Sequence, residues 1–220
     1  MNYNELLKEL EKISDKRFAE FSKSLQNSDY IVIGVQNPKL RELIKLYKDG
    51  EELKLDDFIL GEYLEIDFIY FGLALSRLKR IDDQLDFLIN NIKYAKSWVI
   101  TDCVTTFIKK CDFDSFWSFF LKLYYTKYTY ERRMAYVLGL KHYKDKRILQ
   151  ILKYINKNEE YMVMMAEAWL LATIAIDYSD EIYQFLFDLD DINLKRKTIS
   201  KMCDSRRIDE ETKNKFKLLR

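Results

Sequence analysis

Two residues near the middle of this chain are spaced for chemistry. In Ser97-Trp98-Val99-Ile100-Thr101-Asp102 the tryptophan and the aspartate stand four positions apart. A helix through this segment therefore projects an indole and a carboxylate from one face. An aromatic plane beside an anion suits a substrate that is cationic, flat or developing positive charge. The competing reading makes Trp98 a core aromatic and Asp102 a solvated or capping acid. Two further places hold chemistry-bearing types: the basic pair Arg132-Arg133, and Trp169 inside a very apolar stretch.

The elements that must position these residues are helices. The 220 residues are 48% hydrophobic and contain five glycines and one proline, too few for a chain of short strands and tight turns. Leu6, Leu7, Leu10 and Ile13 recur at helical spacing, and Asp15 can open a second helix carrying Phe18, Phe21 and Leu25. A short apolar connector with Gly34 follows, then Asn37 as an expected N-cap with Pro38 at the first helical position. Residues 54–80 form a long apolar run whose acids (Asp56, Asp57, Glu62, Glu65, Asp67) suit a helix start and a solvated face.

Asp82 or Asp83, Ser97, Asp112 or Asp114, Thr129 and Asp209 mark further helix starts. Ile148, Leu149, Leu152 and Ile155 read as another helical stripe, and residues 161–176 as a helix buried on most sides. The expected fold is all-α: about a dozen helices whose pairs recur roughly every 35 residues, an α-solenoid of HEAT-like pairs forming a single curved domain over 1–220 with a concave face. A closed helical bundle is the structural alternative.

Charge names no partner: 37 Lys and Arg face 36 Asp and Glu, a net charge of +1. A nucleic-acid binder with this balance must segregate its charge. Residues 191–220 do so in sequence, with ten Lys/Arg, among them Lys195, Arg196 and Lys197, against five Asp/Glu. Lys39, Arg41, Lys45 and Lys48 form a smaller N-terminal set. Cys103, Cys111 and Cys203 are scattered, and His142 is the only histidine, which argues against a zinc site. No leader and no apolar run of membrane-spanning length is visible, so a cytoplasmic protein is expected.

Four motifs together resemble the AlkD-like DNA glycosylases of the DNA alkylation repair superfamily. Gly34-Val35-x-x-Pro38-x-Leu40-Arg41 is similar to that family's N-terminal signature, and Ser97-Trp98-x-x-x-Asp102 to the helix bearing its catalytic aspartate. Arg132-Arg133-Met134-Ala135 resembles its paired-arginine helix, and Ala166-Glu167-Ala168-Trp169 its second cleft tryptophan.

The resemblance implies a HEAT-like solenoid that holds duplex DNA and releases positively charged N3- or N7-alkylated purines. By it, Asp102 is the catalytic carboxylate, Trp98 and Trp169 are aromatic walls around the lesion nucleotide, and Arg133 contacts phosphate. Arg132 points elsewhere on the helix and is the weaker candidate. Lys39, Arg41, Lys195, Arg196 and Lys197 join Arg133 and Arg132 as expected DNA contacts. No cofactor and no metal is called for, and a monomer is expected.

One position departs from the family's pattern: Ala172 stands where an arginine is expected three residues after the second tryptophan. The superfamily also contains members that keep the scaffold without base excision, so a non-catalytic DNA-structure-binding protein is the alternative function. A protein-binding scaffold is a third reading.

Overall fold

The computed structural model describes residues 2–26, 28–50, 52–155 and 160–220. The chain divides into two compact units, Met1–Lys110 and Cys111–Arg220. The all-α expectation holds, since one isolated bridge, Ile31 to Tyr63, is the only β pairing among the described residues. Among these residues no helix is long and apolar enough to cross a membrane.

The N-terminal unit contains α1 (Tyr3–Lys12), α2 (Lys16–Leu25), α3 (Asn37–Tyr47), α4 (Leu64–Arg77), α5 (Ile81–Asn91) and α6 (Trp98–Val104). Its centre is α4, buried along most of its length and packed against α3 and α6. Asp15 caps α2 as expected, accepting from the Arg17 and Phe18 amides. The α3 start differs by one residue: Gln36 is the N-cap, and Asn37 is already helical. The Asn37 side chain donates instead to Cys103 Sγ at 3.6 Å, so its hydrogen bonding is tertiary rather than capping.

The connector before α3 explains its glycine. Gly34 has φ of +102°, and a Cβ there would lie 2.4 Å from the Asp15 carbonyl oxygen, so a left-handed backbone and a close approach both demand glycine. Glu65 is what holds this connector. Its carboxylate accepts from the amides of Ile33, Gly34 and Val35 at 2.8–3.2 Å.

The expectation of a solvated acidic face on α4 is therefore corrected: Glu65 and Asp67 are both buried. Burying a carboxylate is tolerable only with such donors. The helix itself begins at Leu64, later than the apolar run, after a short 3-10 turn at Leu55–Asp57.

The C-terminal unit contains α7 (Phe113–Tyr124), α8 (Thr129–Gly139), α9 (Tyr161–Ile174), α10 (Ser179–Asp188), α11 (Ile192–Asp204) and α12 (Glu210–Lys217). Helix α7 packs on α8 and α8 on α9, whereas α9 packs chiefly on α11, past α10. The expected deep burial of residues 161–176 is found in α9. The stripe at 148–155 is not an α-helix, because Lys146–Tyr154 is 3-10 throughout. Ile148 and Ile151 are its buried residues, a spacing that matches three residues per turn.

Candidate active site

The seven-residue helix α6 is too short to stand alone, and its surroundings fix it. Ser97 is its N-cap, accepting from the Val99 amide, as the sequence predicts. Two hydroxyls brace the turns: Thr101 donates to the Trp98 carbonyl at 3.1 Å and Thr105 to the Asp102 carbonyl at 2.7 Å. Ile100, Thr101 and Val104 are buried, which leaves Trp98, Asp102 and Cys103 half-buried. The one-turn spacing thus puts indole and carboxylate on the accessible side of α6.

A buried hub sets where α6 begins. The Tyr30 hydroxyl lies 2.5 Å from Asp67 Oδ2 and 2.8 Å from the Tyr94 carbonyl, and it accepts from the Lys96 amide at 3.3 Å. Asp67 also accepts from the Gly61 amide. Burial pushes the Asp67 carboxyl up to about 6, with Tyr30, Gly61 and Lys96 pulling the other way. A tyrosine has one hydrogen to give. A protonated Asp67 can donate to the Tyr30 oxygen and free that hydrogen for the Tyr94 carbonyl, which favours the neutral acid.

Trp98 is held from the other side. Its indole N–H donates to the carbonyl of Leu25, the last residue of α2, at 3.0 Å, satisfying one of the acceptors a helix end leaves open. The same ring walls a cavity of about 160 Å³ beneath α2.

Arg41 joins this neighbourhood from α3. It donates to Thr106 Oγ1 at 2.7 Å, and its guanidinium lies 5.2 Å from the Phe107 ring centroid and 5.8 Å from that of Phe68. Burial pushes the Cys103 thiol up, Arg41 pulls it down and Asp102 pushes it up again, so cation and carboxylate act on one thiol. Lys39 is exposed on the same helix.

In the C-terminal unit, Trp169 is 37% exposed on the otherwise deeply buried α9. Lys201 of α11 lies 6.0 Å from its ring centroid. Lys197, one turn before Lys201, is exposed, as is Arg196, whereas Lys195 is half-buried. The sequence places Lys201 only within the basic cluster; the i, i+4 spacing to Lys197 is the signal that links it to a common face.

The paired arginines expected to meet phosphate are both engaged within the protein. Arg133 is buried and donates to the Met162 carbonyl at 2.7 Å. Arg132 pairs with Glu160 and reaches the Thr126 carbonyl. Both guanidiniums clamp α8 to the start of α9.

A family model described as "DNA alkylation repair enzyme" matches residues 6–202. The chain belongs to the DNA alkylation repair enzyme family. No curated protein and no solved structure matches it.

For a DNA alkylation repair enzyme, several residues gain a physical account that sequence reasoning missed. Tyr30, Asp67 and Gln26 position α6, yet none lies in a motif. Glu65 and Asp67 are flanked by Leu64, Ile66, Phe68 and Ile69; an acid embedded in an apolar run is the available signal of a buried anchor. Ala172 is buried. The position that departs from the sequence pattern is thus on the buried side of α9.

Proposed function

We propose that this family member is a monofunctional DNA N-glycosylase that releases N3- and N7-alkylated purines from duplex DNA. The observation that carries the reading is the Trp98–Asp102 pair, one turn apart and both accessible on a helix fixed by Ser97, Tyr30 and Leu25. An alkylated purine is already cationic, so it leaves with the glycosidic electron pair and needs little acid help. Positive charge then builds on the deoxyribose, where Asp102 stabilises it and orients the attacking water.

Trp98 and Trp169 supply aromatic faces to the sugar and the charged base. Lys39, Arg41, Lys195, Arg196 and Lys197 contact phosphates without reading sequence. No lysine nucleophile lies in these motifs, so strand-cleaving lyase chemistry is not part of the proposal.

The test is single-turnover excision of N7-methylguanine or N3-methyladenine from duplex DNA. Asp102→Asn should keep DNA affinity and lower the rate by on the order of 10²–10³. Wild-type release no faster than spontaneous depurination refutes the activity, and an unimpaired Asp102→Asn refutes the assignment. A second reading, DNA-structure binding without excision, draws on the buried Ala172 and the internally engaged Arg133. Binding without release above background would select it.

A further inference from the structure

Three tyrosines at one edge of the C-terminal unit keep their rings in solvent. Tyr125, just past the end of α7, is 74% exposed, Tyr128, just before α8, 48%, and Tyr161, the first residue of α9, 55%. Single exposed rings are ordinary, but three gathered on one edge mark a surface that meets something. The turn that carries the first two is braced. Thr126 Oγ1 donates to the Leu123 carbonyl at 3.1 Å and accepts from the Tyr128 amide at 3.4 Å. Arg132 engages both the Thr126 carbonyl and the Glu160 carboxylate, which ties the turn to the residue just before Tyr161. Behind Tyr125, the Tyr124 ring packs edge-on at 5.0 Å between centroids and is itself wedged against Phe120 and Tyr154.

The charge at this edge has one sign. From residue 115 to residue 130 the chain carries Lys122 and Lys127 and no Asp or Glu. Both lysines are exposed, and Lys127 Nζ lies 5.3 Å from the Tyr128 ring centroid. The acids that follow are withdrawn, since Glu131 is buried and Glu160 is paired with Arg132. Flat rings interleaved with cations match an unpaired nucleic-acid strand, whose bases stack on the rings while its phosphates meet the cations. Along α9 the surface continues. Tyr161, Met165 and Trp169 follow at four-residue spacing on its accessible side, so about 12 Å of helix leads from the edge to Trp169.

We infer that this edge binds a single-stranded segment of DNA, its bases stacked on Tyr125, Tyr128 and Tyr161 and its phosphates at Lys122 and Lys127. A duplex keeps its bases in the stack and offers these rings little, whereas an unpaired strand presents a face of every base. The inference rests on DNA as the ligand of this family member, and it needs neither a lesion nor Asp102.

The experiment measures, by fluorescence anisotropy, the affinity of the full-length protein for labelled oligo(dT) of about ten nucleotides and for an abasic strand of equal length and charge. Wild type should bind oligo(dT) about tenfold or more tightly than the abasic strand. Tyr125→Ala and Tyr128→Ala should each lower oligo(dT) affinity about tenfold and leave the abasic strand unaffected. Tyr125→Phe and Tyr128→Phe keep the ring and should bind as wild type does. Lys127→Ala should weaken both strands alike. Urea midpoints of the alanine variants should match wild type, because the rings are exposed. Asp102→Asn should bind oligo(dT) normally, so a failed excision assay leaves this edge standing. Equal wild-type affinity for the two strands, normal oligo(dT) binding in the alanine variants, or lost binding in the phenylalanine variants would overturn the inference. So would failure to bind either strand at low salt; dimerisation abolished by Tyr125→Ala would then assign the edge to a second copy of the chain.

Discussion

The two tryptophans proposed for the lesion nucleotide are held in opposite ways within their own units. Trp98 sits half-buried on a seven-residue helix, its indole N–H fixed to Leu25 and its ring walling a cavity. Trp169 stands exposed on a fourteen-residue helix whose other side is core, with Lys201 over its ring. In the N-terminal unit, aromatic and carboxylate are precisely oriented by buried polar anchors. In the C-terminal unit, Trp169 is carried by the apolar α9 and the cations by α11. The internal guanidiniums, Arg132 and Arg133, clamp α8 to the start of α9 rather than orient the tryptophan. The difference predicts that the first arrangement couples site to stability and the second does not.

The largest effect should come from the anchor that serves the connector. Glu65→Leu removes the acceptor for the Ile33, Gly34 and Val35 amides. At about 1–3 kcal/mol for each buried donor left unpaired, a loss of roughly 4 kcal/mol is expected in urea unfolding. A loss below about 1 kcal/mol would mean that the connector finds other partners.

Next comes the pH dependence of Asp67. Its carboxyl is pushed from 3.8 to about 6 in the fold, so the folded state binds more protons than the unfolded state between those values. Stability is then greatest below pH 4, falls by roughly 3 kcal/mol as pH rises towards 6, and is flat with respect to this group above that. Asp67→Asn can accept from Gly61 and donate to Tyr30 Oη, as the neutral acid does. It should remove the slope and raise stability at neutral pH. A variant less stable than wild type at neutral pH would show that Tyr30 needs the charged carboxylate.

The tryptophans themselves give the third test. Truncating a fully buried tryptophan costs about 3–5 kcal/mol, so half-buried Trp98→Ala should cost roughly 2 kcal/mol. Trp169→Ala should cost less than about 1 kcal/mol, the scale of an exposed cation–π contact. Both should slow excision, but only Trp98→Ala should shift the denaturation midpoint. Equal midpoint shifts would end the contrast between the units.

How far the sequence speaks follows the same division. Helix starts at Asp15, Ser97, Asp112 and Asp209 are legible because a capping side chain acts within three residues of itself. The burial of α9 is legible because nearly all its residues are apolar. The buried acids are not, since charge in a helix ordinarily marks a wet face, and only distant partners such as Tyr30 and the Ile33–Val35 amides reverse that. Arg133 is opaque for the same reason: its acceptor, the Met162 carbonyl, is a backbone atom 29 residues away. In the candidate site, the Trp98–Asp102 geometry is local and readable, whereas the cavity beside it arises from four helices.

The smallest effect separates cations that face solvent from those that face the protein. Lys197 is exposed one turn from Lys201, which lies over Trp169. If this edge meets phosphate, Lys197→Ala should weaken duplex DNA binding alike for all sequences and reduce the slope of log affinity against log salt by about 1. Its stability should be nearly unchanged, because nothing buried depends on it. Arg133→Ala should do the reverse. Losing its bond to the Met162 carbonyl and its packing should lower stability by roughly 2 kcal/mol. The salt slope should stay the same, since a guanidinium directed into the fold displaces no counterions. Parallel salt titrations and urea melts on the two variants decide it: a flattened slope in Arg133→Ala would place that guanidinium on DNA after all, and an unaltered slope in Lys197→Ala would remove α11 from the DNA contact surface.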